Sequence, residues 1–253
     1  MVQAPKRATF SGPPFIRLLA RLTDGDVHES RQSLADRLSQ WIHWTDAIAL
    51  STALSGNPPA VPSGGRVFES AEAAECARVR TSLANAIVGD SGLAGGRRRG
   101  SVQAPLHEGP IDTADTALGY SIFRQRYLSM QQTMETRIGD LRARLRIMLA
   151  ARTPGMARLA DVDAVMERAL SPRERSLLAT VPGLLGGHFE RLRKAEREIL
   201  ADASASQAPE DAPAIKPGAW LNAFRKDMQS VLLAELDLRF QPVEGLLAAL
   251  RTR

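Results

Sequence analysis

The stretch DTADTALGYSIFRQRYLSMQQTMETRIGDLRARLRIMLAAR, residues 112–152, decides the fold. It contains no proline, and Phe123, Tyr127, Met130, Met134, Ile138, Leu141, Leu145 and Met148 recur every three or four residues. That spacing winds one apolar stripe along a long helix, coiled-coil-like, with a stutter where two fours follow each other. Counted from Ala117, the helix would be about 50 Å long at ~1.5 Å per residue. Arg142 and Arg146 border one side of the stripe and Arg137 and Arg144 the other, where their aliphatic stems cover apolar surface. The seam through Tyr127, Met130, Met134, Ile138, Leu141 and Leu145 is therefore a candidate packing or partner surface. The stretch from Trp220 to Val231 carries a matching stripe and is the expected cover; a second subunit or another protein is the alternative. On this reading Ile138→Asp unfolds or dissociates the protein. Arg142→Ala, on a solvated flank, costs less than ~1 kcal/mol.

The segments around this helix also read as helices. Pro14 opens a short one over residues 15–22. Asp26-x-x-Glu29 resembles a capping box ahead of Leu34, Leu38, Trp41, Thr45 and Ile48, whose face Ile42 and Ala49 widen, so one helix is expected to about Leu54. Trp44 stands at the edge of that face and either closes the core or anchors a partner. Cys76, Val79, Leu83 and Ile87 mark a further helix over residues 70–88. Thr153-Pro154-Gly155 stops the long helix, and Ser171-Pro172-Arg173-Glu174 reads as a new start, with Ser as cap and Pro at the first position. Pro182-Gly183 breaks or kinks the chain before a helix lined by Leu185, Phe189, Leu192 and Ile199. Gln241-Pro242 is expected to break the last segment, leaving a short helix with Leu246, Leu247 and Leu250.

The fold class is thus all-α: a helical bundle around one long coiled-coil-like helix. Residues 1–13 read as a flexible tail, 14–203 as the bundle with mobile loops at 55–67 and 89–111, 204–218 as a linker, and 219–253 as a C-terminal helical segment docking on the bundle. Period-2 β-branched runs are absent, so strands have no support.

Composition bounds the function classes. The 253 residues are 44% apolar and 24% charged, values of an ordinary globular chain. The formal charge is +5, and all but four of the 33 basic residues are arginine. Many arginines beside few lysines also follow from a GC-rich genome, so this balance alone does not assign a nucleic-acid partner. The single cysteine, Cys76, permits no internal disulfide and no Cys-rich metal site. Arg17 and Arg21 interrupt the first apolar run, so no signal peptide is read there. The longest uncharged stretch of near-membrane length, 47–65, holds three prolines and three glycines and cannot span a bilayer. No membrane insertion is expected, and the expected location is cytoplasmic.

The sequence carries none of the familiar catalytic motifs. The lysines at 6, 194, 216 and 226 are followed by Arg7, Ala195, Pro217 and Asp227, never by the Ser or Thr that a phosphate-cradling P-loop requires. There is no Gly-x-Ser-x-Gly elbow and no His-Glu-x-x-His pair. His188-x-Glu190 lacks the cysteine pair of a zinc deaminase. Gly183-x-x-Gly186 encloses Leu184 and Leu185 rather than the basic residue of a nucleic-acid clamp. No enzyme, cofactor or metal is expected. Arg97, Arg98 and Arg99, amid glycines, are the candidate phosphate-contacting residues, but no aromatic lies near them for base stacking.

Two stretches, ESRQSLADRLSQWIHWTDAIALSTAL at 29–54 and FRKDMQSVLLAELDLRFQPVEGLLAAL at 224–250, resemble a proteobacterial, all-helical family catalogued as a domain of unknown function. The resemblance brings no catalytic residues with it. Relatives are often encoded beside flagellar-stator-like and outer-membrane-protein-A-like genes, which implies a cytoplasmic accessory of an envelope motor-like complex. The expectation is a non-enzymatic helical scaffold or adaptor that binds a protein partner or self-associates through helices. Weak, non-specific nucleic-acid binding through the arginine-rich segments is the alternative.

Overall fold

The computed structural model describes residues 12–23, 32–56, 70–90, 113–205 and 218–252. Most of the tail, of both loops and of the linker, with Arg97, Arg98 and Arg99, lies outside the described residues. Those described fold into helices only: α1 (Pro14–Thr23), α2 (Leu34–Trp41), α3 (Trp44–Ser55), α4 (Ser70–Gly89), α5 (Thr113–Ala150), α6 (Pro154–Leu178), α7 (Val181–Ala205) and α8 (Ala219–Arg251). The protein is all-α.

Helices α5 and α8 form the central pair and run parallel. Phe123 meets Phe224 near their N-terminal ends, ring centroids 5.2 Å apart. At their C-terminal ends Arg152 donates to the Leu250 carbonyl at 2.5 Å. Helix α6 returns antiparallel along α5, with Asp163 beside Arg142 and the Leu178 carbonyl beside Gln131. On another side α4 runs antiparallel to both, tied by Arg144–Glu75 and Arg126–Asp90 to α5 and by Arg80–Glu244 to α8. Helix α7 lies antiparallel to α8, with His188 on Asp227 and Glu196 accepting from the Gly218 N–H. Helix α1 packs on α7 and α8 and buries Phe15, Ala20 and Leu22. The pair α2–α3 touches the rest chiefly through α6.

The seam of α5 is covered within the chain. Tyr127, Met134, Ile138, Leu141 and Leu145 are buried, as are Phe224, Met228, Val231, Leu232, Leu236 and Phe240 of α8. Each such side chain contributes about 1.5–3 kcal/mol by leaving water. The register differs from the sequence expectation at two places. Gln131 and Leu149 occupy the centre of the stripe, while Met130 and Met148 are half-buried at its edge. Gln131 is polar, and its amide donates there to a buried carboxylate.

Three further expectations are corrected. The single helix to Leu54 is two: Ile42 and His43 are extended, α2 is capped by Ser33 and Asp36 in a capping box, and α3 starts afresh with Asp46 in its first turn. Pro172 does not start a helix but lies inside α6, which Thr153 caps and Pro154 opens. Pro242 does not break α8, which continues to Arg251. Each interior proline removes one N–H, leaving the carbonyl four residues earlier without its helical donor. Packing of α8 keeps it helical through that loss: Phe240, Val243, Leu246, Leu247 and Leu250 are all buried.

At the α5–α7–α8 junction Tyr120, Phe123, Phe189, Trp220 and Phe224 form an aromatic cluster with centroids 4.8–6.3 Å apart. Gly186 is required there. A Cβ at that position would lie 2.9 Å from Cε1 of Tyr120, whose hydroxyl donates to the Pro182 carbonyl. The Gly183-x-x-Gly186 sequence is therefore a packing notch within α7.

Candidate functional site

The structure offers two places where residue chemistry and position are unusual. The first lies inside the α5–α6–α8 contact. Glu235 is 0% exposed, and three donors converge on its carboxylate. Tyr127 Oη donates to Oε2 at 2.6 Å, Gln131 Nε2 lies 3.0 and 3.1 Å from the two oxygens, and Arg239 Nε donates to Oε1 at 2.8 Å. Gln131 also donates to the Leu178 carbonyl at 3.1 Å, and Arg239 reaches Glu174 at 3.4 Å. Burial, with the adjacent Glu235 charge, pushes the Tyr127 phenol far above its ordinary range, so it stays a donor at any physiological pH.

Beside this network α5, α6 and α8 enclose a cleft of about 290 Å³, whose lining includes Glu135, Arg142, Glu167, Glu174, Arg175 and Arg239. That is the small end of ligand-site volumes. Its charges face one another. Arg142 holds Asp163 in a bidentate fork at 2.9 and 2.6 Å and lies 3.4 Å from Glu167; Arg146 bridges Asp163 at 3.0 Å and Glu167 at 2.5 Å. Glu135 lies 3.4 Å from Arg175. Burial works against the Arg146 charge, but its hydrogen bonds to Glu167 and Asp163 more than offset this and raise its pKa. Each carboxylate lining the cleft thus sits against an arginine, an arrangement suited to clamping α6 onto α5. Among the described residues no group of three or more His, Cys, Asp or Glu is placed to hold a metal ion. The Cys76 thiol is buried, which raises its pKa and leaves it a small packing residue.

The second place is α3. It is the most apolar helix of the protein, yet it contains no buried residue. One side faces α6, and Ala49, Thr52 and Ala53 line a cleft there together with Asp161, Ala164, Val165 and Arg168. The other is open: Trp44 is 80% exposed, Leu54 56% and Ile48 50%. A helix apolar on all sides is ordinarily buried on all sides. Trp44 closes no core here: it faces outward from the described helices.

The other sequence candidates fall as follows. Tyr127, Met134, Ile138, Leu141 and Leu145 come together in the core, Met130 at its edge, and Trp44 stands apart from all of them. The four arginines that border the α5 stripe are engaged: Arg142 and Arg146 as above, Arg144 with Glu75 and Arg137 with Ser82. Sequence reasoning missed Glu235, Gln131, Arg239 and Glu174. The available signal was a glutamate in the middle of a many-faced leucine run, with an arginine four residues on.

A match to the family described as protein of unknown function (DUF3348) covers residues 1–252. The chain belongs to this DUF3348 family. Neither the curated proteins nor the solved structures contain a match. The DUF3348 match takes in all eight helices, so the open α3 is part of the family's domain and not an appendage to it. No helix among the described residues is long and apolar enough to cross a membrane.

Proposed function

We propose that this DUF3348 protein is a non-enzymatic helical scaffold that binds another protein chain through α3. The observation that carries this reading is the mismatch between composition and burial in that helix: Trp44, Ile48 and Leu54 are solvent-exposed on an element with a single charge, Asp46. An exposed aromatic beside aliphatic side chains is the usual make-up of an interaction hot spot. The rigid α5–α8 core, closed by its own side chains, supplies the platform.

A polyanion seeking the α5 arginines would have to displace the carboxylates that hold Arg142 and Arg146, which favours a protein partner over nucleic acid. The cytoplasm, beside an envelope motor-like complex, is the setting to test first, on the strength of the resemblance. Affinity capture from native lysate with wild-type and Ile48→Asp baits tests the reading. A protein retained by the first and lost by the second is expected. Identical capture profiles from two equally folded baits refute α3 as the docking element.

A further inference from the structure

We infer that the occupant of the open α3 face is a second copy of α3, packed antiparallel across a two-fold axis; this rests on the docking role proposed above. The order of residue sizes along the face fits self-pairing. Residues 44, 48, 51 and 55 lie on one stripe by helical spacing, and all four are exposed. They are Trp44, Ile48, Ser51 and Ser55: two large side chains followed by two small ones.

In an antiparallel pair centred between Ala49 and Leu50, Trp44 meets the partner's Ser55 and Ile48 meets the partner's Ser51. On the flanks Leu54 meets the partner's Ala47, and Thr45 meets the partner's Thr52. Each large side chain then faces a small one, which is what close helix packing requires and what a two-fold, self-complementary interface supplies. A parallel pair would instead set Trp44 against the partner's Trp44.

Charge agrees with self-pairing. The eight exposed residues named carry none, so two copies meet without like-charge repulsion, and Asp46 is half-buried on another side. Area agrees as well. An exposed Trp alone gives about 150–200 Å² per copy. With Ile48, Leu54 and the small residues, two copies reach about 1,000 Å², the lower bound of a specific interface.

Sedimentation and light scattering of the full chain, from low to a few hundred micromolar, test this. The wild type is expected to dimerise reversibly. Trp44→Ala should weaken the dimer by about 30-fold, the usual effect of removing a hot-spot aromatic. Ser51→Trp enlarges the apolar surface but fills the space Ile48 needs, so it should weaken the dimer too. Helicity and melting of both variants should match the wild type. A dimer strengthened by Ser51→Trp is adventitious apolar sticking and overturns the pairing, as does a dimer indifferent to Trp44→Ala. A wild type monomeric throughout the range also overturns it. Lysate capture that still depends on Ile48 then leaves the docking role standing with another partner, and capture independent of Ile48 removes both.

Discussion

Removing the Glu235 carboxylate should be among the most damaging single changes in the protein. In Glu235→Ala the Tyr127 hydroxyl loses its acceptor, Gln131 keeps only the Leu178 carbonyl, and Arg239 keeps only Glu174 at 3.4 Å. Arg239 is a buried cation whose side chain is 7% exposed, so it cannot recover the lost partner from water. Breaking a buried ion pair from one side costs about 3–5 kcal/mol. At about 2–4 °C per kcal/mol for a chain of this size, the midpoint should fall by about 6–20 °C. Tyr127→Phe removes one of three donors and should cost less, about 1.5–3 kcal/mol, as for one hydrogen bond to a charged group. The informative control is the triple change Tyr127→Phe, Glu235→Leu, Arg239→Met. It replaces the network by apolar side chains and should lie within about 2 kcal/mol of the wild type, because the desolvation of two charges disappears with them. Thermal melts followed by circular dichroism, with urea titrations for the free energies, measure all three. A Glu235→Ala midpoint within two degrees of the wild type would show that the carboxylate is neither buried nor paired, and the α5–α8 register drawn from it would fall.

Three further outcomes are expected. Ile138→Asp places a charge where 7% of the residue is exposed and should leave no cooperative melt, whereas Arg142→Ala strips the bidentate partner from a largely buried Asp163 and should cost about 1.5–3 kcal/mol, more than a solvated flank implies; equal melts for Arg142→Ala and the wild type would place that cluster in solvent. The chain has only two tyrosines, and burial pushes Tyr120 up to about 12 and Tyr127 higher still, so phenolate absorbance should stay flat through pH 10. Above that pH the unfolded chain releases protons the folded chain retains; stability is complete below pH ~10 and falls as pH rises towards the folded values, and phenolate appearing at pH 10 in a folded sample contradicts the burial. Pro242→Ala should restore an N–H towards the Leu238 carbonyl within α8 and raise stability by ~1–3 kcal/mol, so a lower midpoint in urea or heat would mean that the proline is needed for the cleft it lines.

The sequence by itself determined the helical class and the main apolar stripes. Spacing of three and four is a local property of the helix, so Phe123, Tyr127, Met134, Ile138, Leu141 and Leu145, and likewise Cys76, Val79, Leu83 and Ile87, were legible as buried before any fold was known. Only the tertiary structure decided what depends on the opposing surface. Pro172 and Pro242 read as helix ends because the local cost of proline is certain, whereas the packing that offsets it comes from elsewhere in the chain. Gln131 belongs to no apolar stripe of the sequence, and the partner that gives it a core position, Glu235, is 104 residues away. Trp44 and Ile48 shared a periodic face with Leu38 and Trp41, but the chain turns at Ile42 and His43, and a helix just as apolar as a core element was left resting chiefly on α6. Periodicity states which side of a helix is apolar. Whether that side is covered, and by which chain, is set by where the other helices stand, and this is why the candidate site became visible only in three dimensions.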